Sequence, residues 1–210
     1  MKQLSELVAR YPLLEKSEKD IVMVYESLIE CFTKDKRLYV LGNGGSASDS
    51  LHIVSELVKS FKLYRGLECE FEKKVDNAVL CSNLQGALPV FALVENAALS
   101  TAYANDCNPD YVFAQQVYAY ARKEDCVLMI STSGNSKNVL LACEVAKARG
   151  AKTIALTGGS GGSLKEICDI CICVPEEETY KIQELHLPIY HALCLMVEEY
   201  FWGENGIWKQ

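Results

Sequence analysis

Two side chains with complementary acid–base chemistry, His52 and Glu56, stand four residues apart in a stretch of helical periodicity. Residues at this spacing lie on the same face of an α-helix, one turn from each other. A carboxylate beside an imidazole can serve as a general base, and the two together can bind a metal ion. The same spacing is also common in ordinary ion pairs on solvated helix faces, so the pair indicates catalysis only if other parts of the chain supply partners.

The segment in front of this pair has the features of an anion-binding loop. A short apolar run at residues 37–41 is followed at once by three glycines within residues 42–45, which predicts a strand and then a tight loop. Ser46 and Asp49 have the spacing of a capping box, so a helix is predicted to begin there. The N–H groups and the dipole of a helix start favour an anion. We therefore expect a phosphate group to bind at residues 43–46.

The same glycines also permit a dinucleotide-binding site. Gly42, Gly44 and Ala47 match the G-x-G-x-x-G/A pattern after a strand. Such a site also requires an acidic residue at the end of the next strand, about 20 residues further on, and here a lysine-bearing segment intervenes. We expect no nucleotide cofactor.

A second loop, residues 131–136 with the sequence STSGNS, stands where another apolar strand passes into a helix. Its hydroxyl groups could bind a phosphate without any basic residue. The alternative is a serine-rich turn in which Ser136 merely caps the helix. Two anion-binding loops in one sheet favour a sugar phosphate as the ligand.

The last helix of the chain carries further polar groups. Gln183, Leu187, Tyr190 and His191 fall on one face of it. His186 is offset from that face and is predicted to be structural or interfacial. His191 gains significance only if the helix packs near His52 and Glu56.

The composition limits the classes of function. The chain has 210 residues, 50% of them hydrophobic, and is expected to form a single domain, residues 1–210. Its net charge of −7 argues against a nucleic-acid partner. No signal-peptide core or membrane-spanning run is found, so we expect a cytoplasmic protein without membrane contact. The ten cysteines suit reduced thiols. Cys168, Cys171 and Cys173 lie in a predicted strand, although a CxxC pair can also bind metal or carry out redox chemistry.

The order of elements predicts an α/β fold. Five apolar runs alternate with helical segments, which indicates a doubly wound, mostly parallel five-stranded sheet with helices on both faces. Residues 1–34 are predicted to be an N-terminal helical appendage, and residues 66–87 a lid or an insertion. In such sheets, ligands bind at the carboxyl ends of the strands.

Four motifs together resemble the sugar isomerase (SIS) domain family, a flavodoxin-like sandwich, and within it the phosphoheptose isomerases. They are GNGGSASDSLHIVSELV, STSGNSKNV, LTGGSGGSL and YKIQELHLPIYHAL, and the similarity extends from about residue 37 to 200. It implies an aldose–ketose isomerase that converts sedoheptulose 7-phosphate to heptose 7-phosphate through an ene-diol. It also implies a homotetramer with active sites between subunits.

The resemblance also implies roles for individual residues. Glu56 would be the catalytic base and His191 the acid. Zinc would be bound by His52, Glu56, Gln183 and His191. The residues implied to contact substrate are Asn43, Gly44, Gly45, Ser46, Asn105, Asp106, Ser131, Thr132, Ser133, Ser136 and Gln183.

The chain departs from the family at three places that border this predicted site. Lys59 and Ser60 stand where members commonly have Gly-Arg, Tyr180 stands where Asp is common, and residues 66–87 are longer than usual. An alternative function is a non-catalytic SIS module that senses a sugar phosphate or binds a protein partner. Such relatives lack the acidic residue at position 56, so Glu56 favours the enzyme.

Overall fold

Five parallel strands form a single sheet in the computed structural model, which describes residues 1–208. In chain order the strands are β1 (Leu38–Gly42), β2 (Val90–Ala92), β3 (Cys126–Ile130), β4 (Lys152–Gly158) and β5 (Ile170–Val174). They lie side by side in the order β2-β1-β3-β4-β5, and every pairing is parallel. The predicted doubly wound α/β sheet is therefore confirmed.

Ten α-helices within the described residues surround this sheet. They are α1 (Lys2–Arg10), α2 (Glu18–Thr33), α3 (Gly45–Val58), α4 (Cys69–Val75), α5 (Ala78–Asn83), α6 (Ala97–Asp106), α7 (Val112–Tyr120), α8 (Lys137–Ala148), α9 (Gly162–Ile167) and α10 (Thr179–Trp202). Short 3₁₀ turns precede α2 and α7.

The central strands bury both of their faces because each face carries its own layer of helices. In β1, Leu38 and Val40 belong to one apolar cluster, whereas Tyr39 and Leu41 belong to the other. The first cluster joins the sheet to α1, α2, α3 and α10, and the second joins it to α7, α8 and α9. Strands buried on both faces consist of nearly continuous apolar residues, which explains the runs in the sequence.

The predicted N-terminal appendage consists of α1 and α2, which pack against α10 on one face of the sheet. The segment 66–87 contains two short helices, α4 and α5, and no residue of either helix is buried. Its role as a lid stays a prediction.

The carboxyl end of each strand opens into a loop at the same edge of the sheet. The loop of residues 43–46 follows β1, and the loop of residues 131–136 follows β3. The loop of residues 159–161 follows β4 and lies beside the β3 loop. The fold therefore brings the predicted anion-binding loops to one edge.

In the described part of the chain, no helix is both long enough and apolar enough to cross a membrane.

Candidate active site

The loop after β1 turns sharply into α3, but not by the predicted capping box. Gly44 is the N-cap residue, with φ of 55°, and Ser46 lies buried in the first turn without capping the helix. The capping prediction was wrong because the positive φ of Gly44, which glycine adopts readily, makes the turn by itself. The carboxylate of Asp49 instead accepts a hydrogen bond from the Tyr190 hydroxyl, with an oxygen–oxygen distance of 3.3 Å.

Helix α10 approaches this loop through Gln183. A Cβ atom added to Gly45 would lie 2.4 Å from Nε2 of Gln183, so the amide packs directly on the glycine backbone. This close approach explains a glycine at position 45. It also places Gln183 beside the predicted phosphate loop.

His52 lies at the centre of a hydrogen-bonded chain between α3 and α10. Its Nδ1 lies 3.0 Å from the Tyr190 hydroxyl, which donates its own proton to Asp49. The Tyr190 hydroxyl thus joins His52 to Asp49, and the Nε2 atom of His52 lies on the other side of its ring.

Two further groups meet the Nε2 atom of His52. Oε1 of Glu56 lies 3.3 Å from it, and Nε2 of His191 lies 3.4 Å from it. The tertiary structure thus brings together Glu56, His52 and His191, as predicted from three separate positions in the chain. Burial and the neighbouring His52 lower the pKa of His191 below its usual 6.5, so this imidazole is neutral at neutral pH.

Glu56 is 8% exposed, and its second oxygen, Oε2, lies 3.0 Å from Nζ of Lys59. The residue at which the chain departs from its family resemblance therefore contacts the predicted base. Lys59 is itself exposed and also donates to the carbonyl of Ser60.

The loop after β3, residues 131–136, is called the serine loop below, and its hydroxyl groups form hydrogen bonds within the loop. Ser131 donates from Oγ to Oγ of Ser136 at 3.2 Å, and the Ser133 hydroxyl accepts from the backbone of Asn135. Ser136 is the N-cap residue of α8, but its side chain makes no capping bond. The hydroxyl of Ser136 is therefore not consumed by the helix, which favours a ligand-binding loop over a simple cap.

Two asparagines join the β1 loop to the first turn of α8, which directly follows the β3 loop. Asn43 and Asn138 exchange a pair of amide hydrogen bonds, each 2.9 Å long. Sequence reasoning missed Asn138, and no local pattern in the sequence distinguishes it from an ordinary helical asparagine. The pair places both predicted phosphate loops at one site.

The residues on either side of the glycine loop, residues 159–161, donate hydrogen bonds to the serine loop. Gly158 donates its backbone N–H to the carbonyl of Thr132, and Leu164 donates to that of Gly134. Gly134 has a φ of 63°, and a Cβ atom there would lie 1.9 Å from the carbonyl oxygen of Gly161. A side chain at position 134 would separate the two loops.

We expect Gly134→Ala to destabilise the protein by more than the ~1 to 2 kcal/mol that a left-handed alanine alone costs. The matched control is Gly150→Ala, because Gly150 also has a positive φ, 74°, but a Cβ there would be no closer than 3.4 Å to its nearest neighbour. Urea denaturation of both variants tests this. Equal losses of unfolding free energy would show that the contact with Gly161 is unimportant.

The sequence predicts a helix at residues 95–104 and a turn at Asn105 and Asp106, but helix α6 extends through both residues. They are the last two residues of α6 rather than part of a turn, and both are exposed. Asn105 donates to a carboxylate oxygen of Asp106 at 2.9 Å. Within residues 1–208, no hydrogen bond or ion pair links them to the other predicted site residues. Their contact with substrate stays a prediction.

His186 is fully buried in α10, in agreement with its predicted structural role. Neither ring nitrogen has a hydrogen-bond partner among residues 1–208. Burial lowers the pKa of His186 to about 4, and the nearby main chain of Thr157 offsets only part of this effect. The folded protein therefore holds this imidazole neutral.

Because the unfolded chain protonates His186 near pH 6.5 and the folded chain only near pH 4, the unfolding free energy should decrease as the pH falls between these values. The pKa difference corresponds to roughly 3 kcal/mol. The variant His186→Phe should lack this component. Urea denaturation of both proteins at pH 4.5 and 7 measures the two unfolding free energies. If the difference between wild type and variant is the same at both pH values, the prediction is wrong.

A buried ion pair next to the site was missed by sequence reasoning. Arg65 and Glu198 are 0% and 1% exposed and lie 2.8 Å apart. Arg65 also donates to the carbonyls of Glu56 and Leu57 at the end of α3. The arginine thus fixes the backbone that carries the predicted base.

A cavity of about 690 Å³ borders His191 on the α1 side. Arg10 and Lys62 line it, whereas Glu56 and the serine loop do not. Arg10 is near enough to contribute to the low pKa of His191. The cavity therefore gives access to His191 without containing the predicted phosphate loops.

The donor atoms fit a zinc site in pairs. Two ligands of one tetrahedral zinc lie about 3.3 Å apart, which matches the distances from His52 Nε2 to Glu56 and to His191. Among the described side chains, however, no three His, Cys, Asp or Glu residues already converge on one metal position.

The chain is similar to known proteins over most of its length. Residues 99–196 match the family model of the SIS domain. The chain is 42% identical to a phosphoheptose isomerase of a Nitratiruptor species, over 82% of each chain. It is 39% identical to a phosphoheptose isomerase of Helicobacter pylori, over 95% of this chain and 96% of that protein.

A solved structure is also similar over nearly the whole length. The phosphoheptose isomerase from Francisella tularensis superposes with a TM-score of 0.77 at 31% identity, covering 93% of both chains. The similarity therefore covers most of the fold.

Proposed function

The chain belongs to the phosphoheptose isomerase family of SIS-domain proteins, and we propose that it interconverts sedoheptulose 7-phosphate and heptose 7-phosphate. The observation that carries this proposal is the meeting of Glu56, His52 and His191 at the contact between α3 and α10. An aldose–ketose isomerisation requires a base for a carbon-bound proton and a group that moves protons between two oxygens.

The phosphate group of the substrate would bind at the joined loops. Hydroxyls of Ser131, Thr132, Ser133 and Ser136 and the N-terminus of α8 offer neutral donors. The Asn43–Asn138 pair keeps the β1 loop beside them. No basic side chain is needed, which suits a protein of net charge −7.

Glu56 would take a proton from the carbon next to the ketose carbonyl, giving the ene-diol, and would return it to the former carbonyl carbon. His191 would give a proton to the carbonyl oxygen and take one from the neighbouring hydroxyl. A neutral imidazole has one N–H and one lone pair, so the lowered pKa of His191 suits both transfers. No atom is gained or lost overall.

We also propose that zinc binds at His52, Glu56, His191 and the amide oxygen of Gln183. When bound, zinc polarises the substrate oxygens. The pairwise separations of 3.3 and 3.4 Å around His52 Nε2 support this proposal.

Removal of metal with a chelator is expected to leave protein with less than one zinc per chain and with lower activity, and added zinc should restore both. Elemental analysis of the purified protein gives a readout that does not depend on activity. The control is His52→Ala, which should bind substoichiometric zinc from the start. Wild-type protein that retains full activity with no zinc would refute the proposal.

We propose in addition that the protein is a homotetramer with active sites between subunits. Apolar residues flank the site on its outer surface: Leu51 and Val58 on α3 and Leu187 on α10 are 41%, 43% and 40% exposed. Exposed apolar patches beside a site are typical of protein interfaces. Light scattering coupled to size-exclusion chromatography tests the assembly, and a monomer at micromolar concentration would contradict it.

The substrate is best tested with a panel of C5 to C7 sugar phosphates followed by NMR. We expect the seven-carbon ketose phosphate to be converted. Conversion of only a shorter sugar phosphate would support the assignment as an isomerase but give it a different substrate. The residues to examine for that difference would be Lys59, Ser60 and Tyr180. If no sugar phosphate of the panel is converted at millimolar concentration, the assignment as an isomerase is wrong.

A further inference from the structure

A group of thiols lies outside the proposed active site, where α8 and α9 meet near the edge strand β5. The Sγ atoms of Cys171 and Cys173 are 3.6 Å apart, and those of Cys143 and Cys168 are 3.5 Å apart. No three cysteines of the described chain are arranged to hold a metal ion. Pairwise thiol chemistry is therefore favoured over metal binding.

Cys173 contacts the glycine loop that supports the serine loop. A Cβ atom added to Gly161 would lie only 2.8 Å from its Sγ atom. Gly161 in turn presses its carbonyl against Gly134, and the same loop is bonded to the end of β5 through the N–H of Gly159. There is no room for an additional atom on the Gly161 side of this sulfur.

The environment of Cys173 also favours reactivity. The side chain is half-buried rather than fully enclosed. A hydrogen bond from the Cys171 thiol lowers the pKa of Cys173 to about 6, and Lys165 acts in the same direction. The lowered pKa favours the thiolate of Cys173, which is the form that reacts with peroxides.

We propose that Cys173 and Cys171 form an oxidation-sensitive site whose oxidation displaces the glycine loop and weakens phosphate binding. The co-reactant is a hydroperoxide. The Cys173 thiolate attacks the peroxide, one oxygen is transferred to sulfur as a sulfenic acid, and hydroxide or alkoxide leaves. The Cys171 thiol then attacks that sulfur, the S–S bond forms and water is released.

The geometry allows the second step. Residues two apart in a strand have Cα atoms separated by about 6.7 Å, which lies at the upper end of the range that disulfides span. Closing the bond must draw β5 together between Cys171 and Cys173. Because Gly159 donates to the carbonyls of Val174 and Glu176, that movement reaches the glycine loop directly.

The chemistry at the thiols does not depend on the proposed function, whereas its effect on substrate does. In the wild-type protein, hydrogen peroxide should produce a Cys171–Cys173 disulfide, detected by peptide mass spectrometry. It should raise KM for the sugar phosphate by about fivefold or more, the effect of losing one hydrogen bond, with little change in kcat. Thiol reductant should reverse both changes.

Three variants make the test specific. Cys173→Ser should keep its KM in peroxide, and Cys171→Ser should accumulate a sulfenic acid that reacts with dimedone. Cys107→Ser, which removes an exposed thiol elsewhere, should respond like wild type. Oxidation of Cys107 with Cys173 left unmodified would overturn the proposal, as would a disulfide at Cys171–Cys173 without a change in KM.

If no sugar phosphate is converted, KM is replaced by the affinity for inorganic phosphate, measured by calorimetry before and after treatment with peroxide. An unchanged affinity would overturn the proposal.

Discussion

Glu56→Gln is expected to lower kcat by about 10²- to 10⁴-fold, the usual contribution of a general base, with a small change in KM. The amide keeps the shape of the side chain but cannot accept the carbon-bound proton. The phosphate loops are separate from Glu56, so substrate binding should survive. Initial rates followed by NMR or a coupled assay provide the measurement.

Lys59→Met is the matched control for this prediction. It removes the cation from Oε2 of Glu56 but leaves the carboxylate in place. Because Lys59 is 56% exposed in its side chain, the pair is worth at most about 1 kcal/mol, or roughly fivefold in rate. If Glu56→Gln raised KM and left kcat unchanged, Glu56 would bind the substrate rather than act as its base.

Glu198→Gln is expected to destabilise the protein by about 3 to 5 kcal/mol, the usual effect of breaking a buried ion pair from one side. The carboxylate of Glu198 accepts hydrogen bonds from Arg65 and from the backbone N–H groups of residues 61–63. Its loss leaves the buried Arg65 guanidinium without a counter-charge. For a chain of this size the melting temperature should fall by roughly 6 to 20 °C.

Two controls separate burial from charge. The surface pair Glu70–Lys74 is 78% and 72% exposed, so Glu70→Gln should change the unfolding free energy by less than about 0.5 kcal/mol. The double variant Arg65→Met with Glu198→Leu should recover part of the loss, because no unpaired charge remains. A Glu198→Gln protein with the stability of wild type would show that water or a rearranged side chain replaces the ion pair.

The ion pair is also expected to position the base. Arg65 donates to the backbone carbonyl of Glu56 at 2.9 Å. Its guanidinium also lies over the Trp202 ring, which further restricts its movement. If Glu198→Gln folds at low temperature, kcat should fall more than KM changes, because the error is in the placement of Glu56 rather than in phosphate binding.

Local patterns in the sequence determined most of the fold. The sequence predicts strands at residues 126–130 and 170–174, which are the observed bounds of β3 and β5, and the other three strands differ from their predicted ends by at most two residues. Strands buried on both faces and helices amphipathic on one face leave periodic apolar patterns that need no knowledge of the rest of the chain. The two phosphate loops follow from the same local logic, because glycines and serines at strand ends mark turns into helices.

Tertiary structure alone decided which polar residues meet. His52 and His191 are 139 residues apart, Asn43 and Asn138 are 95 apart, and Arg65 and Glu198 are 133 apart. No periodicity encodes such pairs, because each member looks locally like an ordinary polar residue. The family resemblance anticipated the first pair, but neither resemblance nor pattern indicated the other two.

The helix start at Gly44 and the end of α6 show the same limit on a smaller scale. A capping box at Ser46 is locally plausible, yet the backbone conformation of Gly44 and the contact of Asp49 with Tyr190 replace it. The sequence by itself therefore determined the strands, the helices and the chemical types at the site. The packing of α10 against α3 decided which of those groups contact one another, because long-range contacts depend on the whole folded chain.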